Sequence, residues 1–317
     1  MYIRSIVYTI EGTIVFIVNT FCFIAIFRIC TLRCKYIVVL EQIASDALSS
    51  LGISISGIGR TVVTLLGIEA LKSRRYCMLM PWNILFLWAE TLTPVAMLTV
   101  SVDRLVSVVF PIDYFRHPRL IQTIEVSVGC SFVAVISVQS WIVTFPDVEE
   151  QFPPVCLTSH SWQPFHDDLI FAMKVFASCG SVLVYIAVFV VSQKHISRVK
   201  DVQRLRGQAA LSAFQKRQRQ LTISMGISCF FTMILYVLPT CIKYAFAHFD
   251  NVNLLDIIAI YSVVSSYLNP LANLAILFIR QVDIRNAICT CPPMRFTSLC
   301  SVKGGVNGVS THVPRRS

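Results

Sequence analysis

The stretch Ser101-Val-Asp-Arg-Leu-Val-Ser-Val-Val-Phe-Pro-Ile-Asp-Tyr114 decides how this chain is read. An acidic–basic pair, Asp103-Arg104, closes a long apolar run, and Pro111 and Tyr114 follow at short intervals. Charges at the edge of a hydrocarbon layer are costly and persist where they have a task. What the pair means therefore depends on whether the flanking sequence builds a membrane bundle around it.

Composition points to such a bundle. Of the 317 residues, 55% are hydrophobic and 14% charged, against about 25% charged in soluble domains. The mean hydropathy is +0.69. Seven apolar blocks, near residues 6–29, 37–66, 77–110, 120–144, 167–192, 219–247 and 255–279, each reach the roughly 20 residues a spanning helix needs. The expected fold class is an all-α, seven-transmembrane helix bundle. It forms one domain over residues 1–290, followed by a disordered cytoplasmic tail over 291–317. The first block is too long for a signal h-region and reads as an uncleaved signal anchor.

Lysine and arginine placement gives the orientation. Of 27 Lys and Arg, 20 fall on the side that holds Arg104, the Pro111 loop, the segment 193–218 and the C-terminal tail. Asp147, Glu149, Glu150, Asp167 and Asp168 fall on the other side, where Lys72, Arg74 and Arg75 dissent. The N-terminus is expected outside and the C-terminus inside. A net charge of +10 then reflects topology and attraction to the lipid bilayer's anionic inner leaflet, not nucleic-acid binding. No CxxC pairs or His/Cys metal spacing occur, so no metal site is expected. Basic residues recurring with Ile196, Val199, Val202 and Leu205 predict amphipathic inner extensions of helices five and six.

A set of residues in order along the blocks carries a resemblance. Asn19 lies in the first block, Asp46 in the second, Asp103-Arg104-Leu105 at the end of the third, Pro239 in the sixth and Asn269-Pro270-Leu-Ala-Asn273 in the seventh. With these the chain resembles rhodopsin-like G-protein-coupled receptors, and within them the nematode-type serpentine chemoreceptors (Srsx-like), over roughly residues 10–290. Leu105 and Asn273 depart from the tyrosines of that pattern, and Val237 from its tryptophan. The last block has no lysine for a retinal Schiff base.

The resemblance implies a plasma-membrane, multi-pass, non-enzymatic receptor. It would convert binding of an extracellular ligand, a small molecule or short peptide, into activation of a heterotrimeric G protein. A neuropeptide or transmitter receptor of the same fold is the nearer alternative, and a transporter or channel the more distant one. Asp103, Arg104, Pro111, Tyr114, Pro239, Asn269, Pro270 and Asn273 would form the coupling switch, with kinks at Pro94, Pro239 and Pro270. Asn19, Asp46, Thr93, Ser265 and Asn269 would form a polar core around Asp46. There Asp46 either holds a sodium ion or is a neutral, hydrogen-bonded packing residue. Cys77 and Cys156 would bridge the top of helix three to the second outer loop.

Charge at depth marks the ligand side. Glu90 lies 14 residues above Arg104 in the outer half of helix three. Glu90 and Lys174, with Trp82, Asn83 and Phe86 on neighbouring turns, are the expected ligand contacts, and a purely structural Glu90–Lys174 pair is the alternative. A short amphipathic inner helix is expected around Phe278, Val282 and Ile288. Beyond it Cys289 and Cys291 are either palmitoylation sites or free thiols.

Overall fold

The computed structural model describes residues 2–203, 223, 226–246 and 252–289. Seven of its helices are long and apolar enough to cross a membrane: Ser5–Arg28, Ile37–Leu65, Pro81–Val109, Pro118–Thr144, Pro164–Val191, Gly226–Ala245 and Ile260–Arg280, the first to seventh spans. The chain is thus an all-α, multi-pass membrane protein. Among the described residues a small sheet pairs Lys72–Ser73 antiparallel with Glu150–Phe152.

Burial is arranged for hydrocarbon surroundings. Ile10, Ile14, Ile17, Phe21 and Ile24 form an exposed apolar stripe on the first span. Asn19, Ser45, Asp46, Ser50, Thr91 and Asp103 are buried between helices. Small residues let backbones approach within such bundles. A Cβ on Gly12 would lie 2.7 Å from the Ser54 backbone nitrogen, and one on Gly57 would lie 2.6 Å from the Ser5 carbonyl oxygen. The first and second spans therefore touch backbone to backbone at two levels, and Thr13 and Ser54 share a 2.8 Å hydroxyl hydrogen bond between them.

Several boundaries differ from the sequence expectation. The third block was expected to start at residue 77, but Arg74–Met78 is a separate short helix and the span starts at Pro81. Met80 is extended, at φ −62° and ψ 135°, and Pro81 takes the first helical position, where its missing N–H loses nothing. Proline likewise opens the fourth span at Pro118 and the fifth at Pro164. The second span ends where Gly67 adopts φ +62°, a left-handed C-terminal stop. The fifth helix continues to Gln203, as the expected extension requires. The matching extension of the sixth, most of segment 193–218, and the tail 291–317 lie outside the described residues.

A separate short helix runs over Val282–Cys289, while Phe278, expected with it, belongs to the seventh span. Ile284 and Ala287 are its buried residues, while Val282 is exposed. Asp283 ties it to Lys35 at 2.5 Å. Cys289 and Cys291 lie outside the residues whose side chains are described.

Candidate functional site

The Arg104 end of the third span carries a buried polar network. Asp103 is fully buried and Arg104 nearly so. The Arg104 Nη2 donates to Asp103 Oδ2. Tyr114, on the short helix Pro111–Arg116, donates its Oη hydrogen to Asp103 Oδ1 at 2.8 Å. The same phenol oxygen accepts from Gln122 Nε2 at 2.7 Å and from Arg104 Nη2 at 3.4 Å. Burial, with the Asp103 carboxylate assisting and the guanidinium opposing, pushes the Tyr114 phenol above its ordinary value. It therefore stays protonated as a donor. Pro111 starts the helix that brings Tyr114 back under the span. Gln122, from the fourth span, is a member the sequence reading missed.

The sixth and seventh spans meet along a polar seam. Ser265, Asn269 and Asn273 recur every four residues, one face of a helix. Ser265 Oγ donates to the Leu235 carbonyl at 2.8 Å, Thr232 Oγ1 donates to Asn269 Oδ1 at 2.8 Å, and Ser228 Oγ donates to Asn273 Oδ1. The Leu235 carbonyl is available for a physical reason. Pro239, four residues on, has no N–H to give it, and the helix forms a π turn over Met233–Val237. Ser265 takes the place of the lost donor.

At the opposite end the loops close over the bundle. Cys77 and Cys156 form a disulfide, as the resemblance implied, although Cys77 lies on the separate Arg74–Met78 helix and not on the third span. Cys156 has a left-handed backbone at φ +43°. Its carbonyl accepts from Trp82 Nε1 at 3.3 Å, Asn83 Nδ2 at 3.2 Å and Arg60 Nη2 at 3.5 Å. Asn83 Nδ2 also donates to the Cys77 carbonyl at 2.7 Å. Arg74, one of the dissenting cations, pairs with Asp147 at 3.0 Å.

Beneath this loop lies a cavity of about 380 Å³. Glu90 and Lys174 line it as an ion pair joining the third and fifth spans. Tyr236 of the π turn presents its ring 5.9 Å from the Lys174 ammonium. Arg60, Asp167 and Lys243 line its wall, with Ser, Thr, Phe86 and Trp162 side chains between them. Of the five ligand contacts expected from sequence, Glu90, Lys174 and Phe86 line the cavity. Trp82 and Asn83 do not, because both are turned to the Cys156 carbonyl and hold the loop.

Asp46 lines the same cavity, together with Thr93 and Asn269. Of the other residues expected around it, Asn19 and Ser265 hold partners elsewhere. Thr93 shares a 2.9 Å hydrogen bond with Ser45, Asn19 donates to its own helix at the Val15 carbonyl, and Ser265 faces the sixth span. Compared with known proteins, the chain matches no family model and no curated protein.

Proposed function

We propose that the chain is a chemosensory receptor of the rhodopsin-like, G-protein-coupled class, with its N-terminus outside the plasma membrane and its C-terminus in the cytoplasm. One observation carries this reading: the third span joins a loop-covered polar cavity at one end to a buried Asp103–Arg104–Tyr114–Gln122 latch at the other. A cavity lined by Asp46, Arg60, Glu90, Asp167, Lys174 and Lys243 favours a charged, water-soluble ligand over an apolar one, because buried charges need partners.

A ligand that displaces the Glu90–Lys174–Tyr236 contact would act directly on the fifth and sixth spans. The π turn and the hydroxyl seam give the sixth span a place to move relative to the seventh. Opening there would release Arg104 toward a heterotrimeric G protein, to the extent that the ligand prefers the open state. The receptor itself would make and break no covalent bonds.

Nucleotide exchange tests this. Purified receptor in lipid discs should accelerate exchange on at least one G-protein class, and Arg104→Ala should abolish the acceleration with surface expression retained. Failure with every class, even when Thr232→Val loosens the seam, would refute the reading.

A further inference from the structure

At the Arg104 end, between the first and seventh spans, the fold leaves a second cavity of about 360 Å³. Its lining is apolar throughout and includes Phe21, Ile26, Leu274, Phe278 and Ile284. Ala275, the smallest of the lining side chains, is exposed. Basic residues lie close in sequence to its lining residues. Arg28 is seven residues after Phe21, on the same helical face, Arg280 is three after Leu277, and Arg285 follows Ile284. Arg280 and Arg285 are exposed.

We propose that this cavity seats one acyl chain of an acidic phospholipid, with the anionic headgroup against the rim of Arg28, Arg280 and Arg285. The inference rests on the orientation proposed above, which puts this end in the anionic inner leaflet. An acyl chain in a bilayer already lies in hydrocarbon, so entering the cavity brings packing contacts but no transfer from water. Selection between lipids therefore falls to the headgroup. Each basic side chain near such a charge favours binding by roughly fivefold.

The probe is a vesicle holding equal dioleoyl phosphatidylserine and dioleoyl phosphatidylcholine. The full chain, extracted from it and weighed by native mass spectrometry, should retain one phosphatidylserine in preference to phosphatidylcholine. Arg280→Gln with Arg285→Gln should weaken that retention about 25-fold, and Ala275→Phe, which fills the cavity, should remove both lipids. Equal retention of the two lipids by the unaltered chain, or undiminished phosphatidylserine on Ala275→Phe, overturns the proposal. Should Ala275→Phe fail to fold, the exposed arginine pair decides: a loss confined to phosphatidylserine supports the site, and unchanged retention overturns it. Lipid retention is read without a G protein, so a failure here is distinct from a failure of the receptor reading.

Discussion

Tyr114→Phe removes one oxygen and changes three interactions at once. Asp103 Oδ1 loses a donor at 2.8 Å, Gln122 Nε2 loses an acceptor at 2.7 Å, and Arg104 loses a contact at 3.4 Å. A hydrogen bond to a charged group contributes about 1.5–3 kcal/mol, and a stranded buried donor costs about 1 kcal/mol more. Gln122 and Asp103 are both buried, so no water replaces the phenol cheaply, and the total loss should be about 3 kcal/mol. Gln122→Leu alone should cost about 1 kcal/mol, since the phenol still serves Asp103. The double variant strands no amide and should cost about 2 kcal/mol, well below the sum of the singles. Unfolding midpoints of the four proteins measure this cycle. Additivity within about 0.5 kcal/mol would refute the claim that one phenol oxygen joins the third and fourth spans. In the proposed receptor, weakening the latch by about 3 kcal/mol shifts the latched-to-open ratio about 150-fold, so Tyr114→Phe should also raise ligand-free nucleotide exchange.

Three further outcomes follow from the geometry. Glu90→Leu removes the carboxylate partner of the half-buried Lys174 ammonium and should cost about 1.5–3 kcal/mol, whereas Glu90→Leu with Lys174→Leu should recover most of that loss; equal melting of the single and double variants would contradict a pairing that matters. Ser265→Ala leaves the Leu235 carbonyl without its 2.8 Å donor and should cost about 1–3 kcal/mol, while the same change at Ser266, which bonds within its own helix, should cost less; thermal unfolding ranks the two. Burial, and then the Arg60 and Arg74 charges, hold His160 below its ordinary value. Its neutral form is thus native, the loop is fully stable above about pH 6.5, and stability falls as acid protonates the unfolded form first. Hydrogen exchange over residues 157–163 should show that loss, and an unchanged pH slope in His160→Gln would count against it.

The features that showed in the sequence were those carried by local pattern. The seven apolar blocks are long, and Asp103-Arg104 with Pro111 and Tyr114 lies within one helix and the turn after it. Gln122 gave no such signal, because a glutamine in an apolar helix declares no partner until the fourth span crosses the third. Ser228 and Thr232 were silent for another reason: helix hydroxyls ordinarily bond their own backbone four residues back, as Thr232 also does at 3.0 Å. Its second bond, to Asn269, is a tertiary fact. One unbroken helix from residue 77 would put Trp82 and Asn83 on the cavity. The break at Met80 and the indole seat over Gly59, where a Cβ would lie 2.3 Å from the ring, turn that first turn toward Cys156 instead. Ser265 was assigned to Asp46 by its position in a pattern, and the carbonyl left open by Pro239 drew it away.

The glycine contacts between the first two spans have a mechanical consequence. Where backbone meets backbone at Gly12 and again at Gly57, neither helix can roll or slide without collision, so the two behave as a single beam. Any change of shape in the bundle must be taken up by the spans that contact each other through hydroxyls and rings. The beam then serves as the fixed reference against which their displacement is measured, and a label on the first span would report motion of the sixth with little movement of its own.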